Sequence, residues 1–163
     1  MIDRQHFRDA MARLGAAVNV ITTITAAGER LGFTASAVCS VTDDPPTMLV
    51  CMNRGSALNV AFKAAGVLCI NTLASVQEPL SGLFAGVDDV PMAARFERAN
   101  WSVMQSGAPV LDGAVVSVDC RIAQITEVGT HTVFFCEAVA SQVGGAQDGL
   151  IYFGRAYHRV AAA

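Results

Sequence analysis

The sequence predicts a mainly β protein, an antiparallel barrel with a few short helices. Three observations carry this reading. Apolar and β-branched runs recur along the chain, turn signals separate them, and strand and helix never alternate in the regular way a doubly wound parallel sheet requires. The chain has 163 residues. That length fits a single domain over residues 1–163, long enough to bury its own core.

Taken in order, the elements read as follows. Asp3 is placed to cap a helix with apolar positions at Phe7, Met11 and Leu14. Residues 17–25 (AVNVITTIT) are dense in β-branched side chains and read as one strand. A turn at Ala26, Ala27 and Gly28 leads to strand and loop over residues 31–41. Asp43, Asp44, Pro45 and Pro46 interrupt it, because two prolines cannot sit in a central ladder. Residues 47–52 are a short buried strand. Asn53, Arg54, Gly55 and Ser56 then open a helix with Leu58, Phe62 and Ala65 on its apolar side, ended by Gly66. Residues 67–72 form another buried strand.

Between residues 77 and 101 the pattern is helical or irregular. Leu80, Leu83 and Phe84 fall at helical spacing, and Pro91 suits a helix start with Phe96 on the buried side. Two long strands, over residues 114–127 and 130–143, meet at a tight turn on Gly129. After turn signals at Gly144-Gly145 and Asp148-Gly149, short strands over 150–153 and 157–160 close the chain.

Composition narrows the function. Hydrophobic residues make up 53% of the chain and charged residues 15%, against a usual charged share of about 25%. So little polar covering implies apolar surface hidden in a subunit interface. The net charge is -3 and the cations are scattered, which favours neither nucleic acid nor an anionic membrane. The charged N-terminus lacks a signal-peptide apolar stretch, and no run reaches the ~20 residues of a membrane span, so a cytoplasmic location is expected. Cys39, Cys51, Cys69, Cys120 and Cys136 each lie in an apolar strand-like stretch without a C-x-x-C, as buried reduced thiols would. The three histidines are too dispersed for a metal centre. A Rossmann glycine fingerprint, a phosphate-binding P-loop and the hydrolase motifs are all missing.

Four stretches could carry chemistry. Residues 32–41 (GFTASAVCSV) are small and hydroxylated, which lets backbone groups approach a flat ligand such as an isoalloxazine ring; they equally fit a tightly packed strand. The Asn53–Ser56 stretch could offer donors to a phosphate, or be a plain helix cap. Asn71, Thr72, Leu73 and Ala74, with Gln77, Ser81 and Phe84 beyond, could line a ligand edge or form a polar strand exit. His131, beside the Gly129 turn, could orient a nicotinamide or its ribose, or lie at a surface strand end.

Taken with FRDAM at 7–11, AVNVITT at 17–23, PTMLVC at 46–51, GAPVL at 107–111 and YHR at 157–159, these stretches follow one another as in a known family. The chain resembles the flavin reductase-like family. Its members include the reductase components of two-component aromatic monooxygenases, such as that of 4-hydroxyphenylacetate 3-monooxygenase. The resemblance spans nearly the whole chain. It implies an FMN-binding-type split β-barrel with Greek-key connections and a homodimer with flavin sites near its interface. It also implies FMN or FAD as flavin, NADH or NADPH as hydride donor, and a separate monooxygenase as possible recipient of reduced flavin.

Carried over residue by residue, Thr34, Ala35, Ser36 and Ala37 would hold the isoalloxazine edge, with Ser40 nearby. Cys51, Met52, Asn53, Arg54 and Ser56 would serve the ribityl and phosphate end. Asn71, Thr72 and Leu73 would give backbone contacts, and Ser81 and Phe84 would also belong to the cofactor-binding set. His131 and Tyr157 would contact the nicotinamide nucleotide. The middle residue of the family's Gly-Asp-His motif is Thr130 here. No catalytic side chain is implied, because hydride passes between nucleotides held about 3–3.5 Å apart. Two other outcomes stay open: a flavoprotein reducing a non-flavin acceptor such as a cobalt corrinoid, and a flavin-binding module without turnover.

Overall fold

The computed structural model describes residues 1–162. Twelve strands and four α-helices are present among them. Helix α1 (Arg4–Met11) is capped as expected, Asp3 accepting from the His6 amide at 2.8 Å. The rest of the chain does not cover its apolar side: Phe7, Met11 and Leu14 remain 50%, 41% and 63% exposed.

The expected strand over 17–25 is two. β1 (Ala16–Ala17) and β2 (Asn19–Ile24) separate at Val18, whose backbone turns to different partners: its N–H donates to Leu150 and its carbonyl accepts from Leu73. β2 forms a hairpin with β3 (Arg30–Ala35). β4 (Val38–Asp43) and β5 (Pro46–Asn53) form a second hairpin around Asp44 and Pro45. Pro46 opens β5 opposite Asp43 on the outer edge, so the prolines shape a turn and do not end the sheet.

Helix α2 (Asn59–Ala65) starts later than expected. Residues 54–58 form turns first, and Gly66 closes the helix in the left-handed region at φ 67°. β6 (Val67–Thr72), a 3-10 turn (Ser75–Gln77), α3 (Glu78–Ala85) and α4 (Met92–Phe96) follow. β7 (Trp101–Val103) pairs with β8 (Pro109–Leu111), a small ribbon that the sequence pattern does not predict. The long hairpin is β9 (Val116–Val128) with β10 (His131–Val143). β11 (Gly149–Phe153) and β12 (Ala156–Val160) form a small sheet with β1 in the order β1-β11-β12.

All pairings in the seven-stranded sheet β3-β2-β6-β9-β10-β5-β4 are antiparallel. The sheet curls into a split barrel. Leu31 and Ala35 of β3 share one core with Val50 and Met52 of β5, with Phe62 of α2 and Phe134 of β10 closing it. A second core lies outside the barrel wall, where Phe84, Phe96, Leu111 and Leu150 pack on Val18 and Val20. Burying each such side chain contributes about 1.5–3 kcal/mol.

Three cysteines fit the buried-thiol expectation. Burial pushes the Cys69 and Cys136 thiols well up and raises Cys120 to about 12. The other two depart from it: Cys39 is exposed on the edge strand β4, and Cys51 is half-buried. An edge strand has one uncovered side, which an apolar run in the sequence does not reveal. No described helix is long and apolar enough to cross a membrane.

Candidate active site

The site is built where β3 ends and β4 begins. Along β3, side chains alternate between two surroundings. Leu31 and Ala35 face the barrel core, and the Phe33 ring meets Phe62 edge-on at 5.1 Å. Gly32 and Thr34 face α3. A Cβ on Gly32 would stand 2.9 Å from the Phe84 ring, so the glycine is what admits that ring against the strand. Thr34 then donates to the Ser81 carbonyl at 2.6 Å, fixing α3 beside it. The buried Ser81 hydroxyl pairs with the Tyr157 hydroxyl at 2.7 Å, which brings β12 to the same place.

After Ala35 the chain leaves the ladder, and Ser36 and Ala37 stand exposed. Beside them lies the end of β5, where the Cys51 amide donates to the Ala37 carbonyl at 3.0 Å. Burial raises the Cys51 thiol, with a further push from Cys39. Asn53 closes β5 with a turn of its own: its Oδ1 accepts from the Gly55 amide at 2.8 Å. His131, first residue of β10, stands directly opposite Asn53 in the register. The Thr130 hydroxyl bonds with its Nδ1 at 2.9 Å.

These pieces surround an open cleft of about 360 Å³, lined by Thr34, Ala35, Ser36, Ala37, Cys51, Met52, Asn53, Ser56, Phe84 and His131, with Phe33 and Ala85. A smaller space of about 180 Å³ adjoins it through Thr34, Ala35 and Ser36, and adds Ser81, Tyr157, Val18 and Tyr152. Twelve of the seventeen residues singled out in the sequence thus converge on one surface. Phe33, Ala85, Val18 and Tyr152 were not among them. Phe33 lay inside the small-residue stretch, and Tyr152 was visible only as a strand residue.

Five singled-out residues do not line these cavities. Ser40 is exposed farther along β4. Arg54 turns away: its Nε pairs with Glu127 at 3.0 Å and its Nη1 donates to the Gly129 carbonyl at 3.2 Å. Asn71 and Leu73 are completely buried. The Asn71 amide nitrogen donates to the Val20 carbonyl at 3.1 Å, while its oxygen accepts from the Leu111 amide at 2.8 Å and the Ser117 hydroxyl at 2.9 Å. Thr72 donates to Asn19 at 2.7 Å. The Asn71 and Thr72 side chains bind the sheet together, and β6 lies inside it.

A cleft of this size and mixed lining is of the kind that takes a cofactor-sized ligand. No group of three or more metal-ligating side chains occurs among the described residues. A family model described as the flavin reductase-like domain matches residues 11–161. The chain belongs to the flavin reductase-like family. It is 56% identical over 162 residues to a protein of Variovorax paradoxus named FMN reductase (NADH) RutF, covering 99% of this chain and 88% of that one. A Serratia proteamaculans protein of the same name is 57% identical over 157 residues, with 96% and 88% covered.

Solved flavin reductase-like structures match throughout. The NADH:FAD oxidoreductase SgcE6 of Streptomyces globisporus, in complex with NAD and FAD fragments, superposes with a TM-score of 0.88 at 28% identity, over 98% of this chain and 93% of that one. The styrene monooxygenase flavin reductase of Pseudomonas putida gives 0.82 at 26%, with 94% and 96% covered.

Proposed function

We propose that this chain is an NADH-dependent flavin reductase that holds FMN in the cleft between Ser36-Ala37 and Asn53, and that the reduced flavin leaves to serve a separate monooxygenase. The observation that carries the reading is the convergence on one open cleft of small residues from the β3–β4 passage, the Asn53–Ser56 turn and His131. The supporting likeness is to relatives named FMN reductase (NADH) over nearly the whole chain.

The residues present fit a flavin. Ser36 and Ala37 carry no bulk over the cleft floor, so a flat ring can approach the backbone there. Phe84 and Ala85 supply an apolar border, and Asn53 and Ser56 supply polar groups at the far end. When bound, the flavin accepts hydride from the reduced nicotinamide, so no side chain has to act as nucleophile or base. The chain's task is orientation. His131 offers Nε2 to the nicotinamide nucleotide, its Nδ1 being engaged by Thr130. Tyr157, held by Ser81, borders the adjoining space where that nucleotide would enter.

The working unit is a homodimer in a reducing cytoplasm. The uncovered Phe7, Met11 and Leu14 on and just beyond α1, the open edge of β4 and the free cysteines support this. Sedimentation at micromolar concentration tests the dimer; a monomer there overturns it.

Steady-state NADH oxidation, with and without free FMN, tests the activity. Strong stimulation by free FMN is expected. Turnover only with a cobalt corrinoid acceptor, or a full flavin load without NADH oxidation, overturns the reading.

A further inference from the structure

Behind the hairpin tip that carries His131 lies a charge cluster that hydride transfer does not use. Glu127, near the end of β9, stands opposite Thr132 of β10 in the register. Its carboxylate accepts from the Thr132 hydroxyl, whose oxygen lies 3.1 and 3.0 Å from its two oxygens, and from Arg54 Nε at 3.0 Å. Lys63 of α2 donates to it as well. Thr132 is fully buried and accepts from Asn59 at 3.0 Å. One carboxylate therefore joins the hairpin to α2 and to the turn after β5.

Arg54 completes the hold. Besides its bond to Glu127, its Nη1 donates to the Gly129 carbonyl at 3.2 Å and its amide to the Thr130 carbonyl at 3.0 Å. These two carbonyls belong to the two residues immediately before His131. Strand alternation puts Thr132 and His131 on opposite faces, so the cluster supports the hairpin from behind while the imidazole lines the cleft.

We propose that Glu127, acting through Arg54, is a positioning residue that fixes the hairpin tip so that His131 meets the nicotinamide nucleotide. A single exposed ion pair constrains little. Here three donors from three separate elements share one acceptor, and the planar guanidinium fork sets direction as well as distance. Without the carboxylate, Arg54 and Lys63 would stand as unneutralised like charges, and the fork would lose the contact that aims it at Gly129.

The inference rests on the reductase reading, and Glu127→Gln tests it. NADH KM should rise roughly ten-fold, within the range of coupled contacts, while kcat at saturating NADH and FMN affinity stay within about two-fold. In a His131→Ala background the same substitution should leave NADH KM unchanged, because the group it positions is gone. Hydrogen exchange in the protein without nucleotide gives a second readout: the Arg54 amide should lose protection and the His131 Cε1 proton resonance should move. Arg54→Lys keeps the charge but not the fork, and should reproduce both effects if Glu127→Gln does not fold. An equal KM rise with and without His131, or an unchanged Arg54 amide, overturns the proposal. Failure of the wild-type chain to oxidise NADH with FMN would overturn the reductase reading itself, and the exchange experiment would still report on the hairpin.

Discussion

Two asparagines show how differently one side chain is used in this fold. Asn71 lies in the middle of the sheet, fully buried, with nitrogen and oxygen both engaged by β2, β8 and β9. Asn53 ends a strand, exposed on the cleft, with its oxygen in a turn and no amide donor spent on the sheet. Both stood out as polar residues at the end of an apolar strand. The difference is capacity. A buried amide whose bonds are all internal specifies the fold, whereas one at an open rim keeps donors for a ligand.

The comparison is sharpest at Asn71. Replacing it with Leu leaves the Leu111 amide and the Ser117 hydroxyl without their partner in a buried network, and should cost about 3 kcal/mol or more. Urea unfolding reads this. A loss below about 1 kcal/mol would mean that Asn71 is not the fastener of β8.

Gly32 tests the junction between core and cleft. Gly32→Val drives a side chain into Phe84, which Phe96 and Trp101 flank at 5.2 and 5.8 Å between ring centroids. Overpacking of this kind costs about 1–3 kcal/mol. Fluorescence titration should also show weakened FMN binding, because Phe84 borders the cleft. Undiminished affinity would detach that ring from the site.

On the open rim the effects should separate from stability. Ser36→Leu places bulk on the cleft floor and should weaken FMN binding roughly ten-fold, or about 1.4 kcal/mol, with unfolding shifted by no more than about 0.5 kcal/mol. Unchanged affinity would move the flavin elsewhere. His131→Ala should raise NADH KM several-fold, roughly, with FMN affinity held. Unchanged NADH saturation in stopped-flow reduction would remove His131 from the site.

The smallest effect concerns acid. Lys63, donating to Glu127, holds that carboxyl below its ordinary value of 4.5, with Thr132 and Arg54 adding to the pull. A depressed folded value contributes stability that is present above the ordinary value and lost as pH falls through the folded one. Protection of the Arg54 amide should therefore persist down to about pH 4.5 and decline below it. A decline beginning near neutrality would point to another group.

Much of this was legible beforehand. The strand-rich pattern, the Asp3 cap, the Gly66 stop and the Gly129 turn are local: each follows from a side chain or glycine acting on its own neighbours. Twelve of the residues singled out through the ordered match to a family line one surface. The departures from the sequence pattern share a cause. The break at Val18, the delayed start of α2 and the turn of Arg54 toward Glu127 all depend on partners far along the chain, namely Leu150, Thr132 and Glu127.

By itself, then, the sequence determined which segments extend, where they turn and which family's cleft they build, because side-chain shape and backbone freedom act locally. Only the tertiary structure decided which polar groups are consumed within the fold and which remain for a ligand. A hydrogen bond is directional and short, and whether its partner stands within reach depends on how distant strands are brought together.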